Sequence, residues 1–417
     1  MRERAQRAIA ECRHIATMTE ELGTEELGSE EPGRITRRFL TAPMRDVHAH
    51  LRSRMESLGM AVRVDAAGNL RGLWRPVGAG HKRLLIGSHI DTVPDAGAFD
   101  GVLGVTLALE CVGIAQDLAL PLAIEVIAFS EEEGVRFGAP FLGSRAVAGR
   151  FDPALLTLRD EDGITVEAAI RAFGLDPDKI CEAELDADSI GFVEIHIEQG
   201  PVLEAEGLSV AAVSAIVGQT RLSLTFGGQA NHAGTTPMGL RRDALAAAAE
   251  WIVEVEALAR RSEGLVATVG RIVVEPNAGN VVAGRAEVSL DLRHARDATR
   301  VAAVEELAAA ASAISERRGL TLERANRLDQ PAVPMDERLT QLLADAIEAA
   351  DYPARSMPSG AGHDAMVMAA RAPTAMLFLR SPGGISHHPA ETVLEEDVEA
   401  ALQVARGFLA RLSDIFR

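Results

Sequence analysis

Four short apolar runs constrain this chain more than any other feature: RLLIGSH at 83–89, LAIEVIAFS at 122–130, FVEIHIEQG at 192–200 and TAMLFL at 374–379. Each reads as a buried strand rather than as a strand with one wet face. Strands covered on both sides belong to a mainly parallel sheet with helices on both faces, an α/β fold. GVLGVTLALECVGIAQDL at 101–118 reads as a crossover helix, and helices are expected at 336–350, 363–371 and 395–412. Three of the four runs end in histidines or carboxylates. Open α/β sheets put their sites at the carboxyl ends of the strands, so the chemistry is expected there.

The texture changes near Ser209, where SVAAVSAIVG and TRLSLTFGGQA begin to alternate apolar and polar residues. A helix at 239–260, two more alternating strands (LVATVGRIVVE and AEVSLDLRH) and a helix stopped by Gly319 follow. That is an α+β segment with two helices on one face of a sheet. The expected organisation is a discontinuous catalytic domain at 1–210 and 328–417, with an inserted α+β domain at 211–327. A chain of 417 residues exceeds what one core usually serves, which agrees with two domains.

The ligand-type residues cluster in four places. GSHIDTVPDAGAFDG offers His89, Asp91 and Asp100, an imidazole with carboxylates on strand-end loops, which suits a divalent cation. A carboxylate two residues along can also orient the first imidazole. SEEEG at 130–134 packs three carboxylates together, a repulsion relieved if one binds a cation and a neighbour stays free as a base. His196 sits mid-strand in EIHIEQG, and one of His387 and His388 in GISHHPAE is expected as a ligand. His363 opens a helix at a glycine-rich turn, which fits an oxyanion cradle or a plain N-cap. His232 lies in the insert, within QANHAGTTPM. The glycines of GAFDGVLG do not have GxGxxG spacing, and Ser130 and Ser359 lack a nucleophile-elbow context. The reading is a metal-dependent hydrolase.

Composition narrows the partners. Sixty-one acidic against 42 basic side chains give a net charge of −19, which excludes a basic nucleic-acid or anionic-membrane surface. No run approaches the roughly 20 apolar residues that cross a bilayer. The three cysteines form no CxxC pair, and the N-terminus lacks a signal-peptide core, so a cytoplasmic protein is expected.

In order, HxD, GxFDG, EEEGxRF, HIEQGP, NHAGTTPM, GHDA and SHxPAE run almost the length of the chain. This set resembles the amidohydrolase branch of the dinuclear-metal aminoacylase/carboxypeptidase superfamily, which includes allantoate amidohydrolase, N-carbamoyl-L-amino-acid hydrolase and β-ureidopropionase. The resemblance implies two divalent cations (Zn, Mn, Co or Ni), one on His89, Asp100 and His196 and the other on Asp100, Glu133 and His387. It implies Glu132 as general base, Asp91 behind His89, and substrate contacts from His232, Asn280, Arg293, Gly362 and His363. His388 departs from the usual residue at its position, and His387 is chosen as the ligand by its spacing to Pro389. The implied reaction is hydrolysis of a carbamoyl (ureido) C–N bond of a small carboxylate substrate, allantoate first, with release of ammonia and carbon dioxide. The implied assembly is a homodimer through the insert, with His232 crossing to the partner's active site. A di- or aminopeptidase is disfavoured, because relatives of that kind tend to carry a carboxylate in place of His196.

Overall fold

The computed structural model describes residues 1–20 and 34–416. The chain divides into two compact units, Met1–Ser214 with Met335–Arg417, and Ala215–Pro334. The first unit is built on β1 (Ala61–Val64), β2 (Leu70–Trp74), β3 (Arg83–His89), β4 (Ala123–Phe129) and β5 (Ser189–Ile197), with strands Thr374–Leu379 and Val210–Ile216 completing the row. Their order across the sheet is β1, β2, β4, β3, β5, Thr374–Leu379, Val210–Ile216, with Ser356–Ser359 also beside the last.

Only the centre of this sheet is parallel. β3 pairs in parallel with β4 and β5, and β5 with Thr374–Leu379. Both flanks are antiparallel, β1 to β2 to β4 on one side and Thr374–Leu379 to Val210–Ile216 on the other. The hairpin AVRVDAAGNLRGLW, turned at Gly68 (φ 86°), supplies the first antiparallel flank, and Val210–Ile216 supplies the second.

β3 and β4 are buried along their whole length, as is the helix Val102–Asp117 through Ala115. That helix has no wet face because it packs on β3 and β5 inside and on helices Arg2–Ala16 and Glu395–Phe416 outside. Its entry at Gly101 (φ 66°) admits no side chain, since a Cβ there would stand 2.5 Å from the His89 ring. The glycine is what lets the helix start directly under the first histidine. Between β4 and β5 the chain adds short helices at Leu142–Val147, Pro153–Thr157, Val166–Ala172 and Pro177–Ala183, which the apolar pattern did not reveal.

The second unit is an antiparallel sheet in the order Ile272–Glu275, Arg285–His294, Gly218–Gly227, Thr321–Gln330. Gly218–Gly227 and Arg285–His294 alternate buried and half-buried residues, the mark of one covered face. Helices Ala244–Arg261 and Asp297–Arg318 cover it, with Trp251 fully buried and its indole N–H donated to the Leu307 carbonyl at 2.9 Å. Thr321–Gln330 is a polar edge strand that runs through the expected 327/328 border. The chain leaves and re-enters this unit side by side, Val333 paired with Ile216 and Pro334 with Ala215. No described helix is long and apolar enough to cross a membrane.

Candidate metal centre

Four neighbouring strand ends deliver the site in the first unit. β3 ends on His89, β4 runs into Ser130–Glu133, β5 carries His196, and Thr374–Leu379 leads into the loop that bears His387. Register aligns them: His89 stands opposite Phe129, and Phe378 opposite His196. Asp100 comes from the loop between β3 and the helix beneath it.

The ligand atoms of His89, Asp100 and His196 lie within 4.8 Å of one another, and so do those of Asp100, Glu133 and His387. Asp100 belongs to both sets. Its Oδ1 is 3.3 Å from His196 Nε2 and 3.9 Å from His89 Nε2, while its Oδ2 is 3.0 Å from His387 Nε2. His387 Nε2 is also 3.4 Å from Glu133. His388 does not join the group, and its Nδ1 accepts the Ala390 N–H inside its own loop.

Second partners aim the rings. His196 Nδ1 is 2.9 Å from the Ile197 carbonyl and His89 Nδ1 is 3.0 Å from the Asp91 carbonyl, so both rings turn Nε2 toward Asp100. The Asp91 carboxylate stands 3.5 Å from the His89 ring and accepts the backbone N–H groups of Glu132 and Glu133. One side chain thus ties the first imidazole to the acidic turn. Two inward-facing ligand atoms, Glu133 Oε1 and His196 Nε2, are buried without a hydrogen-bond partner among the described residues. Leaving such an atom unsatisfied costs about 1–3 kcal/mol. A histidine and carboxylate donor set with two such atoms fits a pair of divalent cations.

The electrostatics match that use. Burial would raise the Asp100 carboxyl, but His387, His196 and His89 around it hold it below its usual range. Burial pushes Glu132 well above the carboxylate range, His89 opposes this, and the Glu133 and Asp364 charges add to it. Glu133 rises to about 7, first through burial and then through Asp100. Glu132 is 8% exposed, and its carboxylate lies within 4.8 Å of ligand atoms on both His89 and Glu133. It stands at the edge of both ligand sets.

The remaining expected site residues fall in three places. His363 is buried, its ring 4.5 Å from that of His196 and its Nε2 2.9 Å from Ser359 Oγ. Gly362 faces Phe141, whose ring edge would stand 3.2 Å from an added Cβ. In the second unit, His232 pairs with Val281 on a two-stranded ladder, and the Ala233 N–H is donated to the Asn280 carbonyl, so His232 and Asn280 are neighbours. His232 is exposed, with its Nδ1 accepting the N–H groups of Gly234 and Thr235. Arg293, on Arg285–His294, pairs with Asp291 at 2.9 Å.

Sequence reasoning missed four polar residues at this site. Gln199 donates to Asp100 Oδ1 at 3.0 Å from a left-handed position (φ 57°) just past β5. Glu194, two residues before His196 and so on the same strand face, accepts from Ser88 Oγ and the Ala365 N–H. Asp364 is fully buried behind His363, and Glu391 is buried under Asp100. A carboxylate in a fully apolar strand was the legible signal for Glu194. The other three lie inside HIEQGP, GHDA and SHxPAE, but what each of them touches depends on long-range contacts.

Residues 85–411 match peptidase family M20/M25/M40. The chain belongs to that family. Among its M20 relatives, allantoate deiminase of Arabidopsis thaliana is 39% identical over 389 residues, 84% of this chain and 73% of that protein. N-carbamoyl-L-amino acid amidohydrolase of Geobacillus stearothermophilus is also 39% identical, over 89% of this chain and 92% of that protein. A solved amidase of the hydantoinase/carbamoylase family from Burkholderia multivorans matches with a TM-score of 0.89 at 31% identity, covering 98% of this chain and 97% of that one.

Proposed function

We propose that this M20 protein is a dinuclear-metal amidohydrolase that cleaves a carbamoyl C–N bond. The division of Asp100, Oδ1 toward His196 and His89 and Oδ2 toward His387, is the observation that carries the reading. His89, Asp100 and His196 would hold one cation, and Asp100, Glu133 and His387 the other. When bound, such a pair supplies a water acidified toward neutrality and a Lewis acid for the substrate carbonyl. Glu132 takes the proton of the attacking water and returns it to the leaving nitrogen, a role suited to a buried carboxylate that stands beside both ligand sets without belonging to either. Asp91 keeps Glu132 in place through the backbone N–H it accepts.

A ureido carbon is a poor electrophile, because both nitrogens donate into it. We assign the added oxyanion donor to His232, and such a donor is typically worth about 3–4 kcal/mol. Arg293 and Asn280 would fix the substrate carboxylate, and Gly362 and His363 would also contact the substrate. The inserted unit would serve as lid and dimer contact, with His232 completing the partner's site across a two-fold axis. Mixing Glu132→Gln chains with His232→Ala chains should then restore part of the activity that each lacks. A mixture that stays dead despite subunit exchange sinks that assignment. We place the enzyme in the cytoplasm, in keeping with its three unpaired cysteines.

Allantoate is the first substrate we assign, on the NHAGTTPM and GHDAM motifs, ahead of N-carbamoyl-L-amino acids and 3-ureidopropionate. The two 39% relatives bear names from both of the first two classes, which supports the shared reaction over any single substrate. The test is ammonia release from all three substrates with Zn, Mn, Co and Ni in turn. Fastest turnover of allantoate is expected. Cleavage of a dipeptide, read as free amino acids, with no ammonia from any of the three would overturn the reaction class.

A further inference from the structure

Glu391 is a buried carboxylate, 4% exposed, with no lysine or arginine among its hydrogen-bond partners. Burying such a group is costly unless hydrogen bonds offset it. Its Oε1 accepts the backbone N–H groups of Phe99 at 2.9 Å and Asp100 at 3.0 Å. Its Oε2 accepts the Ser386 hydroxyl at 3.1 Å, one residue before His387. The contact is close enough that Gly97 must stay a glycine, because a Cβ there would stand 2.3 Å from Glu391 Cβ.

The bonds close a ring. Gln199 Nε2 donates both to Ser386 Oγ at 3.2 Å and to Asp100 Oδ1 at 3.0 Å. From the Asp100 backbone the path runs through Glu391, Ser386 and Gln199 and returns to the Asp100 carboxylate. It joins the Asp100 loop, the end of β5 and the His387 loop. The two ligands that need this most are Asp100 and His387, which come from loops 287 residues apart and share no strand register.

We propose that Glu391 is a positioning residue that sets the Asp100 loop against the His387 loop and so builds the cation position formed by Asp100, Glu133 and His387. It acts through hydrogen bonds accepted by its oxygens, not through its charge. The inference rests on the two-cation reading above.

Its test is a metal titration of the full-length protein with Mn²⁺, read by calorimetry and by the exchange-coupled electron paramagnetic resonance signal of a manganese pair. Wild type should bind two ions. Glu391→Ala should keep the first and bind the second about 10–100-fold more weakly, the usual size of an outer-shell loss, with loss of the coupled signal. Glu391→Gln should stay close to wild type, because its amide oxygen still accepts both N–H groups. Ser386→Ala removes a single hydroxyl, and should weaken the second ion in the same direction if Glu391→Ala fails to fold. Unchanged affinity for the second ion in Glu391→Ala or Ser386→Ala overturns the proposal, as does a Glu391→Gln as weak as Glu391→Ala. A fully active wild type that binds only one ion would instead sink the two-cation reading itself.

Discussion

His89 and His196 leave adjacent strands of a parallel ladder, with side chains 2% and 1% exposed; His387 reaches the same Asp100 from a loop, 46% exposed. The first pair is placed by sheet register and by backbone carbonyls that hold its Nδ1 atoms. His387 adopts a left-handed backbone (φ 55°), a conformation that costs on the order of 1–3 kcal/mol when structure elsewhere holds it. The two halves also differ in charge. Burial lowers His196 to about 4, whereas the bond to Asp100 raises His387 to about 9, with burial opposing and Glu133 assisting. The contrast is between an inner half preformed by the sheet and an outer half assembled by loop contacts.

The largest effect should come from the residue that belongs to both halves. Asp100→Ala is expected to empty both positions and abolish turnover, with elemental analysis of the purified variant as the check. Retention of a full inner cation would mean that the inner half does not need the shared carboxylate.

Glu132→Gln should cost about 10²–10⁴-fold in turnover with both cations in place, since a general base is lost and no ligand is. Loss of a cation in this variant would exchange the roles of Glu132 and Glu133.

His387→Ala should drop the outer cation alone, with at least about the 10–100-fold loss in affinity seen for outer-shell changes. His388→Ala should leave both cations bound. A chelator should likewise withdraw one equivalent quickly from wild type and the second slowly. Simultaneous release would erase the distinction between halves.

The smallest effect is a proton. Without metal, His387 stays protonated up to about pH 9, so a cation must displace that proton across the neutral range. Affinity for the outer cation should therefore rise with pH, by about tenfold per unit while one proton is displaced, and flatten near 9. Below about pH 7 protonation of Glu133 steepens the loss. A pH-independent second affinity, measured by calorimetry, would remove His387 from the outer half.

What the sequence determined by itself is the part carried by short-range pattern. The apolar runs at 83–89, 122–130, 192–200 and 374–379 all became strands, and histidines and carboxylates at their ends face one spot, because burial on both faces leaves only the strand ends open to polar chemistry. The polar edge strand Thr321–Gln330 escaped that pattern, since an edge strand with exposed side chains shows no apolar alternation. The tertiary structure alone decided which atoms meet. It fixed the distances from His387, already favoured by its spacing to Pro389, to Asp100, packed His363 behind His196, and seated Glu391 beneath a residue 291 positions away. Such choices depend on how distant loops close over one another, and nothing in a run of neighbouring residues specifies that distance or direction.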